Sequence, residues 1–179
     1  MAIATPSALG EVDFHQAMAT EMVLTPHEIE VFNFGVGSEL LAIGLFSNRE
    51  GEDKNIPVIR TGIVSAMAGE PISDRTGHGP YHAYLAELLS MGGLSGSPVF
   101  YHPTSGTEFP KFSFYLVGII RSHWDEKPAN APADLPRREY MNRGIAAVTP
   151  ATGILELLET EPLKDERRRD ALQARQTDL

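Results

Sequence analysis

Gly92-Gly93-Leu94-Ser95-Gly96-Ser97-Pro98-Val99-Phe100 is a run of small residues with a hydroxyl at its middle that leads directly into an apolar, β-prone segment. Glycines on either side of Ser95 give the tight backbone path that a side chain needs to stand clear of a turn. Proline at the first position of Pro98-Val99-Phe100-Tyr101 is compatible with a strand start, where its missing N–H costs least. A serine turn feeding a strand, and not a helix, therefore directs the reading of the whole chain.

Working outward, apolar runs bounded by turn residues predict six strands, at 38–46, 57–67, 83–90, 97–103, 112–122 and 143–149. Asn48 to Asp53, Thr76 to Pro80 and Pro103 to Gly106 supply the punctuation between them. The link from Asp125 to Asn142, with Pro128, Pro132 and Pro136, is predicted as a surface excursion. Six strands suffice for one closed antiparallel barrel, so the fold class is all-β. Thr149-Pro150 starts a C-terminal helix whose Ile154, Leu155, Leu157 and Leu158 are expected to cover one side of the barrel. Residues 1–34 are poorly patterned except at Thr25-Pro26-His27-Glu28-Ile29-Glu30, an N-cap followed by proline at the first helical position. Residues 161–179 mix Lys164, Arg167, Arg168 and Arg169 with Asp165, Glu166 and Asp170, and read as a solvated or frayed charged tail.

Composition bounds the function classes. With 179 residues, 42% of them hydrophobic, the chain can bury one sizeable core. A formal charge of -9 argues against nucleic acid or an anionic membrane as a general partner, since both reward clustered Lys and Arg. No apolar stretch approaches a membrane span, and residues 1–20 lack the basic start and apolar run of a secretory signal. The chain has no cysteine, which removes disulfides and thiolate chemistry and fits a reducing, cytoplasmic setting. Histidine spacing suggests no metal site: His78 and His82 are four apart, but glycine and proline between them preclude a shared helical face. No cofactor is implied.

Three pieces of the sequence resemble the C-terminal barrel of trypsin-like serine peptidases, in the family's order. Gly93-Leu94-Ser95-Gly96-Ser97-Pro98-Val99 is similar to the family's nucleophile turn, with Ser97 in place of a glycine and Leu94 in place of the more usual aspartate. Leu116 to His123 resembles the strand that forms one wall of the specificity pocket, and Asn142 to Thr149 resembles the closing strand before a terminal helix. Leu40 to Gly44 and Arg60 to Ala66 are similar to paired strands of bacterial, HtrA-like members. The resemblance spans residues 35–160 and implies the second half of a double barrel.

That resemblance assigns roles. Ser95 would be the nucleophile, the Gly93 and Ser95 N–H groups the oxyanion donors, and Arg121, Ser122 and His123 the substrate-binding strand, with residues 89–92 on the opposite wall and a peptide or protein as substrate. The α/β-hydrolase elbow is the competing serine motif, but its last glycine is replaced by Ser97 and its serine leads into a helix.

The family carries its histidine and aspartate on a first barrel, before the serine. Residues 35–94 already belong to the serine-bearing barrel, and residues 1–34 offer only His15, His27 and Asp13 outside any matching motif. Trp124 is expected to pack. His78, His82, His102 and His123 lie in loops or at strand ends, as rim residues or as bases that approach Ser95 in space. The expectation is a serine endopeptidase or its C-terminal portion whose remaining triad members come from a missing N-terminal barrel or another chain. A non-catalytic binding module, or a truncated remnant that self-associates, is the alternative.

Overall fold

The computed structural model describes residues 18–45, 57–73, 79–88, 94–104, 106, 108–126, 129–132 and 141–177. Its strands are β1 (Glu39–Leu45), β2 (Pro57–Ala66), β3 (Tyr84–Glu87), β4 (Pro98–Tyr101), β5 (Tyr115–Glu126) and β6 (Met141–Pro150). They close into an antiparallel barrel in the order β1-β2-β3-β6-β5-β4, the all-β architecture expected from the apolar runs. Because β4 returns to lie beside β1, the run β4-β1-β2-β3 is a Greek key.

Period-two alternation sorts the side chains. Leu40 and Ala42 of β1, Val64 of β2, Tyr84 and Ala86 of β3, Val99 and Tyr101 of β4, Val117 of β5, and Ala146 and Val148 of β6 fill the interior. Alanine and valine on several strands leave room for the larger tyrosines and for a plug at one end. That plug is the turn after α1 (Pro26–Val31): Phe34 meets Tyr101 at 4.9 Å and Tyr84 at 5.8 Å between ring centroids, and Phe32 meets Tyr115 at 5.0 Å. The Tyr101 hydroxyl donates to Phe32 O at 3.2 Å, so the buried ring keeps its polar tip satisfied. The helix begins where the sequence places it, with the Glu28 carboxylate reaching back to accept the Thr25 N–H at 3.1 Å.

The outside of the barrel is unevenly covered. After β6, α2 (Thr152–Leu158) lays Ile154 and Leu155 against Val23, Phe100, Leu116 and Ala151. Leu157, expected in that stripe, is 60% exposed, because only the positions that share a turn face with Ile154 and Leu155 can look inward on so short a helix. Next to that cover, with Leu41 paired to Phe100, Leu41 and Ile43 of β1 and Ile59 and Ile63 of β2 share an outward face, and Ile59 is 66% exposed.

Differences from the sequence-based expectation are local. Phe112, Ser113 and Phe114 precede β5 in a bend, where the Ser113 carbonyl is held by the His102 ring. β5 and β6 run on as a two-stranded ribbon, with Asp125 opposite Asn142 and Glu126 opposite Met141, so both ends of the predicted excursion are ladder. Polar residues on a solvated ribbon carry no apolar alternation, which is why the extension was invisible. The charged segment is helical as α3 (Glu161–Thr177), while staying largely solvated. Good helix formers and the i,i+3 pairs Arg168 to Asp165 at 3.0 Å and Lys164 to Glu161 at 3.6 Å support it without a core, and Lys164 also reaches back to Glu159 at the end of α2, at 3.0 Å. The Lys164 ammonium holds the Glu159 carboxyl below the usual range, chiefly by hydrogen bonding. No helix among the described residues is long and apolar enough to cross a membrane.

Candidate functional site

The serine turn lies at the barrel end away from the aromatic plug. Its base is Leu94, 1% exposed, whose carbonyl accepts the Ser97 N–H at 3.0 Å and closes the turn. Gly96 sits at φ 85°, a backbone region that a side chain would strain, so glycine is required one residue after Ser95. Two bonds dock the turn on β5: Gly96 N–H to Ile120 O at 2.7 Å and Ile120 N–H to Ser97 O at 2.9 Å. Ser97 is buried while Ser95 is exposed, so the first hydroxyl is presented to solvent and the second faces the protein.

Gly44 of β1 makes the seat for Ser97. A Cβ on Gly44 would lie on the Ser97 hydroxyl and 2.8 Å from Leu94 Cδ2. Placing Ser97 where the resembled family has glycine thus relies on a missing side chain on the neighbouring strand.

Beyond Ile120, β5 carries the polar group expected to line a substrate strand. Ile120 pairs with Val148 and Ser122 with Ala147, so Arg121 is the extra residue of a β-bulge. A bulge re-aims side chains that would otherwise alternate. As a result both Arg121 and Ser122 reach one partner, Tyr81: the guanidinium carbon stands 3.9 Å from the ring centroid, and the two hydroxyl oxygens are 3.4 Å apart. Tyr81 is itself held by paired backbone bonds with Ile72, at 2.8 and 3.0 Å, which fold the connection between β2 and β3 toward β5. Farther along the ribbon, His123 Nε2 lies 3.0 Å from Asp125 Oδ2, both half-buried.

The structure therefore brings the Ser95 turn and the Arg121–His123 strand together, through Ile120. The histidines divide differently. His102 uses Nδ1 on the Ser113 carbonyl and stacks on Phe114 at 5.2 Å; His123 is engaged with Asp125; His27 lies on α1, at the plugged end; His82 is exposed just before β3. Gly93, residues 89–92, His15, Asp13 and His78 lie outside the described residues. Trp124 is half-buried on β5, consistent with a packed side chain.

Tyr81 and Asp125 were not singled out from the sequence. Tyr81 follows Gly79-Pro80 in a stretch read as loop punctuation, and only the tertiary fold puts it on β5. Asp125 follows a second register shift, between His123 and Asp125, so simple alternation from Ser122 does not place it. Among the described residues, no three His, Asp or Glu side chains gather as metal ligands would.

No family model matches the chain, and no match emerges from the curated proteins or from the solved structures.

Proposed function

We propose that this chain is the serine-bearing half of a trypsin-like serine endopeptidase of the HtrA-like branch, acting on a peptide or protein substrate. The observation that carries the reading is the pairing of an exposed Ser95, on a glycine-dependent turn, with the polar stretch of β5 on a six-stranded antiparallel barrel. In this reaction the Ser95 Oγ bonds to the substrate carbonyl carbon while a histidine base takes the hydroxyl proton. The Gly93 and Ser95 N–H groups stabilise the oxyanion. Collapse breaks the carbon–nitrogen bond, the base passes its proton to the leaving amine, and water hydrolyses the ester to regenerate the hydroxyl.

The base and its orienting acid come from a partner barrel. Two observations support that division. His102 and His123 are committed to Ser113 and Asp125. The outward face of β1 and β2, with Ile59 and Ile63, is apolar and uncovered, as a surface awaiting another apolar layer would be. A cytoplasmic location accords with the absence of cysteine.

A second reading is favoured by the same engaged histidines: a binding module that holds a peptide along β5 without cleaving it. A serine hydroxyl with no base is a poor nucleophile at neutral pH. The two readings separate on labelling with a fluorophosphonate probe, with Ser95→Ala as control. Labelling of the parent that is lost in the variant supports an activated serine within this chain; absence of labelling in the folded parent, restored by a chain supplying histidine and aspartate, supports the half-enzyme. Absence under both conditions overturns the peptidase reading in favour of the binding module.

A further inference from the structure

We infer that the outward face of β1 and β2 seats the base-bearing partner chain, and that this partner presents a layer of aliphatic side chains with Lys or Arg at the end away from the serine turn. The inference rests on the half-enzyme reading above and adds to it the chemistry of the partner and the direction in which it docks.

The face changes character along its length. Three outward cross-strand rows, from Leu45 and Pro57 to Leu41 and Thr61, carry no charge. The fourth pairs Glu39 with Ile63 and continues onto β3, where Glu87 pairs with Ile63 in turn. Two carboxylates therefore flank one isoleucine, about 10 Å apart across three strands. Both are exposed, and among the described residues no ion pair engages either. The large apolar side chains of Leu45, Ile59 and Ile63 are exposed as well. On the β4 side the face is bounded by Phe100, which already lies in the cluster of Val23, Ile154 and Leu155.

The uncharged end meets the serine turn. Leu45 follows Gly44, the position against which Ser97 and Leu94 pack. A layer resting on that end of the face borders the turn that carries Ser95, which is where a base from another chain has to arrive.

Charge selects the occupant. Carboxylates at one end only favour a cation opposite them and disfavour the reversed orientation, so the end of the partner that reaches the serine turn is fixed. An anionic lipid surface is repelled by the same pair. A second copy of this chain brings carboxylates to the face and no cation. The face is roughly 20 Å long and 10–15 Å wide, short of the about 800 Å² that each side of a stable protein pair buries. A dimer held by this face alone falls below that size, whereas a partner that also contacts the serine end extends beyond it.

The test uses the full chain, at concentrations where sedimentation shows single copies, and disulfide-closed β-hairpin peptides with one aliphatic face. One hairpin ends that face in two Lys, a second in two Glu, and a third has Ser in place of the aliphatic residues. The chain has no cysteine, so the disulfide stays within the probe. Binding is read from isoleucine methyl resonances. The Lys hairpin is expected to shift Ile43, Ile59 and Ile63 and to leave Ile29 on α1 and Ile154 on α2 in place. It should bind about tenfold more tightly than the Glu hairpin, as two exposed ion pairs allow. Glu39→Gln combined with Glu87→Gln should bring that ratio to about one, and raised salt should narrow it in the parent alone. Circular dichroism establishes that the variant is folded. The inference is overturned by absence of methyl shifts, by shifts confined to other isoleucines, by equal binding of the Lys and Glu hairpins, or by a Lys preference that survives the double substitution. Binding of the Ser hairpin as tightly as the Lys hairpin overturns it too. The half-enzyme reading is scored separately, by fluorophosphonate labelling in the presence of a chain supplying histidine and aspartate. Where labelling is restored, the Lys hairpin is expected to suppress it; labelling that persists at saturating hairpin overturns the inference and leaves the peptidase reading intact. Hairpin binding without restored labelling supports the docking chemistry and sinks only the half-enzyme.

Discussion

Replacing Gly44 by alanine tests whether the serine turn is seated as described. The added Cβ would fall on the Ser97 hydroxyl, 2.9 Å from Ser97 Cβ and 2.8 Å from Leu94 Cδ2. The obstructing atoms belong to a turn bonded to β5 on its other side, so relief requires either Leu94 to leave its buried site or the bonds to Ile120 to lengthen. Overpacking of this kind costs about 1–3 kcal/mol. For a domain of this size that corresponds to roughly 2–4 °C of melting temperature per kcal/mol, hence about 2–12 °C. The assay is thermal and urea unfolding of the parent, Gly44→Ala, Ser97→Gly and the double variant. Removing the Ser97 side chain vacates the space that the new methyl needs, so the double variant should recover part of the loss, with a coupling of about 1–2 kcal/mol. Fluorophosphonate labelling, where the parent shows it, should fall in Gly44→Ala and return in the double variant. A Gly44→Ala chain as stable as the parent, or purely additive losses, would refute the proposed contact between β1 and the serine turn.

Two further outcomes are expected. Converting Ile59 and Ile63 to threonine keeps β-branched side chains on the outward face of β2 and should leave each substitution within about 0.5 kcal/mol of the parent. It should also weaken concentration-dependent self-association, measured by sedimentation, and unchanged association would mean that another surface mediates it. Tyr84 is buried beneath Phe34, and burial raises its phenol above the ordinary value of 10.0. The unfolded chain therefore loses this proton first, so stability contributed by the neutral phenol is intact below pH 10 and declines as pH rises through the folded value. Urea midpoints across that alkaline range should fall less for Tyr84→Phe than for the parent; parallel curves would show that other groups govern the decline.

Much of the barrel was legible because its strands are apolar on a period of two and are separated by glycine, proline and asparagine. Leu40 and Ala42 on β1, like Val99 and Tyr101 on β4, announce an inward face by spacing alone. The same logic failed where a strand had no buried face. From Ser122 to Glu126, hydrogen bonds to β6 continue through polar residues, and nothing in their order distinguishes a solvated ribbon from a loop. Leu157 failed in the other direction, since an apolar residue was counted into a stripe that a seven-residue helix cannot extend to it. For α3, local pairing of oppositely charged residues builds a helix without any apolar pattern.

The candidate site divides along the same line. That Ser95 stands exposed on a turn into a strand follows from Gly96 and Pro98, because left-handed backbone and a missing N–H are properties of those residues themselves. The choice of neighbours is not local. Gly44 makes room for Ser97 from another strand, a bulge turns Arg121 and Ser122 toward one ring, and a bridge to Ile72 delivers Tyr81 from a connection that reads as loop. Backbone preference acts within a few residues and is written in sequence order, whereas close approach between side chains distant along the chain exists only once the barrel has closed.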